Sequence, residues 1–341
     1  MVTPTPADQV VILIPTLNEA AHIAGVLDQI LSEDRLAQGA RVIVADGGST
    51  DGTTEIVGDL AATRYRNLRL IDNPKRTQAH AMNMLLKPDF AGTTVAIRVD
   101  AHAQYPRDFV SRLVAELDAR PGVASVVIPM DAVPTESCFR RGLAYVADTK
   151  LGAGGSPHRG GTASGYVDHG HHAAFRLETF RILGGYDTSF IANEDAEYDR
   201  RLGKSGRRIW LESSIRIGYY PRDTIAGLWK QYFRYGVGRA RNCLKHGDRP
   251  ALRQMIPVIH VVLLALSLLA LPFTAWGWLW PVLYAGLLSA VAVAMALRHR
   301  SLCGLVALPA LATMHTAWGL GFLWGAGRGR PQAAMPVRGL G

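Results

Sequence analysis

A long stretch without charged residues constrains this chain more than any other feature of its sequence. No Asp, Glu, Lys or Arg occurs at residues 255–297, and a second uncharged stretch covers residues 302–327. A membrane-spanning helix needs about 20 apolar residues, whereas helices of soluble proteins rarely stay uncharged for so long. We therefore predict two transmembrane helices, at residues 255–273 and 278–297, and room for a third at residues 302–324.

Basic residues flank these stretches and predict their orientation. Cytoplasmic segments of membrane proteins carry an excess of Lys and Arg, so the segments before the first helix and after the second are predicted to be cytoplasmic. A third crossing would place Arg328, Arg330 and Arg338 outside, which the same rule disfavours, so a re-entrant third segment stays open beside two or three crossings. The flanking residues are Arg239, Arg241, Lys245, Arg249 and Arg253 before the first helix, and Arg298 and Arg300 after the second.

The overall charge points to anionic partners. Lys and Arg outnumber Asp and Glu by 37 to 28, which gives a net charge of +9. Nucleic acid, anionic lipid and phosphorylated substrates all suit such a balance, but basic residues beside the apolar stretches favour lipid headgroups over nucleic acid. Cys138, Cys243 and Cys303 lie far apart without metal-ligand spacing. We therefore expect a reducing compartment and no disulfide bond.

Short apolar runs alternate with helical patterns over residues 10–220. Strands are predicted at residues 10–14, 42–45, 68–71, 94–99 and 124–128, and helices at residues 19–31, 53–60, 77–86 and 107–117. Continuous apolar strands that alternate with amphipathic helices indicate an α/β fold with a mainly parallel sheet covered by helices. Ligands of such sheets bind at the carboxyl ends of the strands.

Polar clusters follow three of the predicted strands. They read PTLNE at residues 15–19, DGGSTDG at residues 46–52 and DAH at residues 100–102. Because the carboxyl ends of parallel strands meet at one edge, we predict one shared pocket. Turn formation is the alternative for each loop, and Asp51 is equally well explained as a helix cap.

These clusters, in this order, resemble the family 2 glycosyltransferases of the GT-A fold. The resemblance runs from Val10 to about Tyr235 and rests on IPTLNE, VADGGSTDGT, VDAH, GGYDTSFIANEDAEYDRRL and QYFRY. Within the family, DGGSTDGT, DAH and GHHAAFR are most similar to membrane-anchored glucosyltransferases of bacterial exopolysaccharide assembly, of the succinoglycan type. The fold implied is a GT-A nucleotide-sugar-binding domain followed by transmembrane helices.

The resemblance implies a nucleotide-sugar site at the first two clusters. Pro15, Asn18 and Glu19 would line the nucleotide pocket, and Asp46 would accept hydrogen bonds from the uracil or ribose edge. The small residues after Asp46 let that edge approach the backbone. The family's usual second acid is replaced here by Gly47.

The third cluster is expected to hold a divalent cation against the diphosphate. The family's Asp-x-Asp is replaced by Asp100, Ala101 and His102, so Asp100 and His102 are the predicted ligands of Mn²⁺ or Mg²⁺. Oxygen ligands suit both ions, and the histidine favours Mn²⁺. Lys75 and Arg76 either help to hold phosphate or are solvated charges.

An acidic run supplies the predicted base. By the resemblance, Asp195 takes the proton of the acceptor hydroxyl as that hydroxyl attacks the anomeric carbon, while Glu194 orients the site. A solvated helix surface is the alternative. One base opposite a leaving diphosphate implies inversion, so a UDP-α-sugar would give a β-linked product.

Two further segments are assigned to the acceptor side. His171 and His172 are placed in a loop that touches donor phosphate or acceptor, since a zinc site would lack an evident fourth ligand. The QYFRY segment lies on a predicted amphipathic helix whose apolar face could enter the membrane interface. There Gln231 and Arg234 would reach the diphosphate and Tyr235 would stack on the acceptor sugar; a purely interfacial helix is the alternative.

Together these features predict a multi-pass protein of the bacterial inner membrane with four regions. Residues 1–222 form the cytoplasmic catalytic domain, residues 223–254 an amphipathic interfacial helix and basic linker, residues 255–327 the transmembrane helices and residues 328–341 a tail. The expected activity is inverting transfer of a hexose, first of all glucose, from a UDP-sugar to a lipid-linked saccharide. A processive polysaccharide synthase and a catalytically silent membrane scaffold are the alternatives.

Overall fold

The computed structural model describes residues 3–329, which divide into two compact units. The first contains residues 3–131 and Gly160–Tyr219, and the second contains Ala132–Arg159 and residues 220–329. Arg330, Arg338 and most of the predicted tail lie outside the described residues. The excursion at Ala132–Arg159 was not foreseen, because no change in composition marks it.

The strands, in chain order, are β1 Val10–Thr16, β2 Arg41–Asp46, β3 Leu68–Asp72, β4 Val95–Arg98, β5 Ala103–Gln104, β6 Val123–Ile128, β7 Met130–Ala132, β8 Gly165–Val167, β9 His171–Arg176, β10 Arg208–Leu211 and β11 Ile217–Tyr219. The helices are α1 Ile23–Leu31, α2 Arg35–Gly39, α3 Thr53–Thr63, α4 Gln78–Asn83, α5 Phe109–Ala119, α6 Cys138–Ala147, α7 Lys150–Ala153, α8 Leu177–Ile182, α9 Glu194–Lys204, α10 Ile225–His246, α11 Leu252–Ala270, α12 Leu279–Arg298 and α13 Ala307–Gly327.

An eight-stranded sheet organises the first unit, in the order β3-β2-β1-β4-β9-β6-β10-β8. The neighbours from β3 to β4 are parallel, as are β6 and β10. Strand β9 is inserted antiparallel between β4 and β6, and β8 is antiparallel to β10. Strands β5, β11 and β7 form a second, small sheet. The predicted α/β fold with a mainly parallel sheet is confirmed.

Helices cover both faces of the large sheet, as the side chains of β1 illustrate. Successive residues of a strand point to opposite faces. Val10, Ile12 and Ile14 pack in one buried cluster with side chains of α1, α3 and α5. Val11 and Leu13 pack in the other, with side chains of α4, α8 and α9. Each predicted strand and helix of residues 10–128 corresponds to an observed one.

The second unit contains α6, α7 and the four helices from α10 to α13. Three segments are long and apolar enough to cross a membrane, namely Leu252–Ala270, Ala275–Arg298 and Leu302–Gly327. They match the three predicted segments. The latter two include short 3-10 turns at Ala275–Trp278 and Leu302–Val306.

Helix α10 is the predicted amphipathic helix, and much of its apolar face packs on protein. Leu228 is fully buried, in a cluster with side chains of α6, α12 and α13. Ile225 and Trp229, at the start of the helix, are exposed. Protein therefore covers a large part of the face that was expected to enter lipid.

The expectation of no disulfide bond is wrong. Cys138 at the start of α6 is bonded to Cys303 in the turn before α13, and Cys243 is free. A Cβ atom added at Gly142 would lie 2.0 Å from the carbonyl oxygen of Cys303, so α6 packs directly on this turn. The packing brings together two residues that are 165 positions apart, which sequence spacing does not reveal. The cysteines therefore give no argument for a reducing compartment.

Candidate active site

The predicted polar clusters lie at one edge of the sheet in the first unit. Thr16 at the end of β1 pairs with Asp46 at the end of the parallel strand β2, and Leu13 pairs with Arg98 at the end of β4. Strand β9 runs the opposite way, so its first residue, His171, also lies at this edge. Side chains from four neighbouring strands thus meet where ligands of parallel sheets bind.

The carboxylate of Asp46 is turned toward its own loop. Its Oδ2 atom accepts hydrogen bonds from the backbone N–H groups of Gly48 and Ser49, both at 2.8 Å. Its Oδ1 atom accepts a bond of 2.5 Å from the hydroxyl of Ser49. Gly48 has a φ of +82°, a conformation that glycine adopts without strain. Asp46 therefore shapes the loop, and a contact with the nucleotide remains a prediction.

Asn18 ties the first cluster to the second. Its backbone N–H donates to the hydroxyl of Ser49 at 2.8 Å, and its side-chain oxygen accepts from the N–H of Thr50 at 2.9 Å. Asn18 has a φ of +56°, and asparagine is among the few residues with side chains that tolerate this region. The preceding Pro15 continues β1, paired with Ala45. The two loops therefore form one continuous surface.

Arg76 also stabilises the loop that follows Asp46. Its Nε atom donates to the carbonyl oxygen of Gly47 at 2.8 Å, and its own backbone has a φ of +61°. Non-glycine residues in this region carry strain that tends to occur at ligand sites. The side chain of Arg76 thus has a structural partner, while the neighbouring Lys75 is exposed.

Asp100 lies between a buried arginine and a histidine. Its Oδ1 atom lies 3.0 Å from a guanidinium nitrogen of Arg98, and its Oδ2 atom lies 3.3 Å from Nε2 of His171. Burial on its own would raise the pKa of Asp100, but Arg98 and His171 hold it well below its usual range. Burial lowers the pKa of His171. An ionised carboxylate therefore lies beside an imidazole that is neutral at pH 7.

His102 points to a different partner from the one expected. Its Nδ1 atom lies 2.7 Å from a carboxylate oxygen of Glu19, so this pair joins the first cluster to the third. The side chain of His102 is half exposed. The backbone N–H of Glu19 also donates a hydrogen bond of 2.9 Å to the hydroxyl of Thr53.

The donor set at this edge fits a cation that is shared with a substrate. Among residues 3–329, no three His, Cys, Asp or Glu side chains are arranged as a complete metal-binding group. Asp100 and His171 nevertheless present an oxygen and a nitrogen to each other, with His102 on the same loop. Mg²⁺ at phosphate sites is commonly held by one or two protein carboxylates and by the phosphates themselves. Two protein ligands are therefore enough for such an ion.

Two adjacent acids begin α9, and their surroundings separate their pKa values. Burial and the charge of Asp195 raise the pKa of Glu194 to about 7. Burial would also raise the pKa of Asp195, but His169 and Arg98 hold it below its ordinary value. Asp195 is the more accessible of the two. The pair therefore offers one ionised, reachable carboxylate and one buried acid that is partly protonated at pH 7.

The prediction that His172 touches donor or acceptor is wrong for this structure. Its side chain is fully buried, with Nε2 2.5 Å from Oδ1 of Asp199 and Nδ1 2.7 Å from the hydroxyl of Ser125. The other oxygen of Asp199 lies 2.6 Å from Nδ1 of His169. Both ring nitrogens of His172 are thus engaged in the core. His171, the preceding residue, faces Asp100 because side chains alternate along β9.

Asp199 and His169 were given no role by the sequence. Asp199 lies four residues after Asp195 on α9, so both project from the same face of that helix. Its two bonds to histidines connect α9 to the chain that leads into β9. The four-residue spacing can be read from the sequence, but the bonds from Asp199 to the two histidines are visible only in the structure.

The remaining predicted residues belong to α10 in the second unit. The side-chain nitrogen of Gln231 donates to the hydroxyl of Tyr235 at 3.0 Å, one helical turn away. Arg234 is exposed. Their contact with the diphosphate or the acceptor remains a prediction.

Two family models match the chain. The model described as Glycosyl transferase family 2 matches residues 11–181, and the model described as Glycosyl transferase family group 2 matches residues 97–322. The first ends within α8 and includes the clusters around Asp46 and Asp100. The second extends through α9 and α10 into α13.

Curated proteins and solved structures agree with the family models. The chain is 45% identical to the Succinoglycan biosynthesis protein ExoA of Rhizobium meliloti, over 91% of this chain and 93% of that protein. It is 26% identical to a dolichyl N-acetyl-alpha-D-glucosaminyl phosphate 3-beta-D-2,3-diacetamido-2,3-dideoxy-beta-D-glucuronosyltransferase of Methanococcus voltae, over 67% of this chain and 72% of that protein. The mannosyltransferase PcManGT of Pyrobaculum calidifontis, solved with GDP-Man and Mn²⁺, has a similar fold. Its TM-score is 0.55 at 24% identity, over 92% of this chain and 89% of that one.

Proposed function

Because the chain belongs to glycosyltransferase family 2, we propose that it transfers a hexose from a UDP-sugar to a lipid-linked saccharide in exopolysaccharide biosynthesis. The transfer inverts the anomeric carbon, and UDP-glucose is the first donor to test. One observation carries the proposal. Asp100 lies 3.0 Å from Arg98 and 3.3 Å from His171, at the same edge of the sheet as the polar loops after β1 and β2.

The nucleotide half of the donor is assigned to the loops after β1 and β2. Their backbone is already fixed by the bonds of Asn18 and Asp46, so little ordering remains when a ligand binds. The side chains of Pro15 and Glu19 would line the pocket. Exposed Lys75 would meet a phosphate oxygen, while Arg76 keeps the glycine loop in place.

The diphosphate half is assigned to the loop after β4. Asp100, His171 and His102 would hold Mn²⁺ or Mg²⁺, and the ion, when bound, neutralises the negative charge that develops on the leaving UDP. The histidines favour Mn²⁺ over Mg²⁺. Mn²⁺ accompanies the nucleotide sugar in the solved mannosyltransferase of similar fold, which supports a divalent ion.

The chemical step is assigned to Asp195. Its ionised carboxylate takes the proton of the acceptor hydroxyl as the oxygen forms its bond to the anomeric carbon. The bond from that carbon to the diphosphate breaks on the opposite face, and UDP leaves with the electron pair. Glu194 would orient the acceptor through its buried carboxyl group. An α-linked donor therefore gives a β-linked product.

The acceptor is assigned to the membrane side of the protein. For Gln231, Arg234 and Tyr235 of α10 the proposed roles are those that the family resemblance implies, with Arg234 for the diphosphate and Tyr235 for the acceptor sugar. The relative from Rhizobium meliloti is named for succinoglycan biosynthesis, which supports a polysaccharide precursor as the product. The apolar helices support a lipid carrier for the acceptor, and the Lys and Arg that flank them support a catalytic unit on the cytoplasmic side of a bacterial inner membrane.

A panel of nucleotide sugars tests this function. Membranes that contain the full chain would be incubated with each UDP- or GDP-hexose, lipid-linked acceptors and Mn²⁺, with UDP or GDP release as the readout. Membranes with an Asp195→Asn chain are the matched blank. We expect release from one UDP-hexose and the addition of one sugar to an extractable lipid. A ladder of products would indicate a processive synthase, and no release from any donor would indicate a scaffold.

A further inference from the structure

The three apolar helices of the second unit differ in what surrounds them, and we propose that only two of them cross the membrane. The pair α11 and α12 forms the crossing hairpin. Helix α13 is half buried by other helices of the same unit and stays on the side of the membrane where α11 begins. Length and apolar composition alone would let all three helices cross, so the evidence lies in their contacts.

Burial separates α13 from the other two helices. In the most apolar stretches of α11 and α12, 17% and 11% of the residues are buried inside the protein, whereas for α13 the share is 50%. The apolar side chains of the hairpin, such as Ile256, Leu269 and Leu283, are largely exposed. A soluble protein rarely exposes so large an apolar surface. Lipid therefore suits the exposed surface of the hairpin, whereas protein already covers half of the residues in the apolar stretch of α13.

Helix α10 covers one side of α13 at very short range. A Cβ atom added at Gly321 would lie 2.2 Å from the carbonyl oxygen of Phe233, and one added at Gly325 would lie 2.9 Å from that of Val237. Both pairs advance by four residues, so the two helices run side by side in the same direction. Small residues at such contacts let helix backbones approach closely.

The charges of α10 prevent this pair from entering the bilayer core. Lys230 and Arg234 lie on the length of α10 that accompanies α13, and Arg239 lies beside the end of α13. If α13 crossed the membrane in this packing, α10 would carry these cations into the hydrocarbon region. Charged side chains are costly there and are rarely found without a dedicated role. The packing and a third crossing are therefore incompatible.

The segment that contains α6 and α7 covers another side of α13. His315, near the middle of α13, has Nε2 2.8 Å from the backbone carbonyl oxygen of Leu151 in α7. Leu143 and Val146 of α6 belong to the same buried cluster as Leu311 of α13. Helix α12 also reaches this cluster, through Leu288 and Ala292, whereas α13 has buried residues along most of its length. Both ends of this segment continue in the chain into the first unit. Its backbone outside the short helices would be unsatisfied in lipid, so the segment lies outside the bilayer core.

Two crossings also resolve the conflict in the basic residues. With a single hairpin, Arg253 in the first turn of α11, Arg298 and Arg300 at the end of α12, and Arg328 after α13 all lie on one side of the membrane. Lys and Arg accumulate on one side of membrane proteins. A third crossing would place Arg328 on the opposite side.

Labelling of single cysteines with a membrane-impermeant maleimide tests the proposal. In a full-length Cys243→Ser chain, which also gives the background, cysteine would be introduced at Ala251, at Ala275 or at Gly327. All three positions are exposed, and a Cβ atom at Gly327 meets no other atom. We expect Ala251→Cys and Gly327→Cys to label from one side of the membrane and Ala275→Cys to label from the other, when intact and permeabilised cells are compared.

Every other pattern overturns the proposal. Labelling of the Ala251 and Gly327 positions from opposite sides would mean three crossings, and labelling of all three positions from one side would mean none. A reporter fused to the C-terminus of the otherwise unchanged chain gives an independent measurement. One reporter is a protein that fluoresces only in the cytoplasm, and the other is a phosphatase that is active only after export. Both should place the C-terminus on the same side as an N-terminal fusion. Because the test reads sidedness alone, its outcome does not depend on the proposed glycosyl transfer.

Discussion

The Nε2 atom of His171 lies 3.3 Å from the Oδ2 atom of Asp100, although the two residues are 71 positions apart in the chain. The contact exists because β9 is inserted antiparallel beside β4, which brings the start of one strand to the end of the other. It converts a single acidic residue into a mixed oxygen and nitrogen donor set. Substitution of His171 or Asp100 therefore tests whether the transfer depends on a metal ion at this pair.

The first prediction concerns His171 as a metal ligand. A His171→Ala chain should need about 10–100-fold more Mn²⁺ for half-maximal activity, because a metal-site partner is lost. A calorimetric titration of Mn²⁺ in the presence of UDP measures the same change in metal affinity without turnover. His22→Ala, on the exposed surface before α1, is the control. Unchanged Mn²⁺ dependence in the His171 variant would remove it from the metal site.

The second prediction concerns Asp195 as the base. Asp195→Asn should lower kcat by about 10²–10⁴-fold, the range expected for loss of general base catalysis. Binding of UDP should change less than twofold or so, since the nucleotide is assigned to other loops. Asp59→Asn, an exposed carboxylate of α3, should change neither quantity. Loss of UDP binding together with activity would place Asp195 in the donor pocket instead.

The third prediction concerns the pH dependence of stability through Glu194. Its folded-state pKa is raised from 4.5 to about 7, so the folded protein favours the protonated acid. The contribution of Glu194 to stability therefore declines as pH rises from 4.5 to 7 and then levels off, by at most about 3 kcal/mol. Glu194→Gln should raise the melting temperature of the detergent-solubilised protein above pH 7 and leave it unchanged near pH 4.5.

A matched substitution makes this measurement specific. Glu136→Gln removes a fully exposed carboxylate and should leave the difference from the native chain constant across the same pH range. If Glu194→Gln gave the same gain at pH 4.5 and pH 8, the raised pKa of Glu194 would not be the cause.

The fourth prediction concerns the bond between Cys138 and Cys303. Mass spectrometry of peptides from the unreduced protein should find these two residues linked and Cys243 available for alkylation. Closing a loop of more than 100 residues is worth on the order of 4–5 kcal/mol through the unfolded state. A reducing agent should therefore lower the melting temperature of the native chain. It should leave a Cys138→Ser, Cys303→Ser double variant unaffected, and equal responses of both chains would argue against the bond.

Local patterns made much of the catalytic unit predictable. Each of the loops at residues 15–19, 46–52 and 100–102 follows a short apolar run, so strand and cluster can be recognised together. The structure confirms that the three loops lie at one edge of the sheet, because the carboxyl ends of parallel strands point the same way. Asp195 and Glu194 were equally visible, since an acidic run at a helix start is a local feature.

Contacts that depend on distant pairing were not predictable in the same way. The antiparallel insertion of β9 decides that His171 meets Asp100, and no local pattern announces it. The burial of His172 could have been predicted, because adjacent residues of a strand face opposite sides of the sheet. The pairing of Cys138 with Cys303 depends on how α6 packs on the turn before α13, and so on the whole second unit.

The excursion of the chain through α6 and α7 has a consequence for biosynthesis. The ribosome makes Cys138 165 residues before Cys303, so Leu143 and Val146 are synthesised long before the helix that buries them. Proteins generally fold from the N-terminus as they emerge. The catalytic unit is therefore complete while this segment still waits for its neighbours. Nascent chains halted before α13 should be held by chaperones or degraded, even though every predicted catalytic acid has been translated.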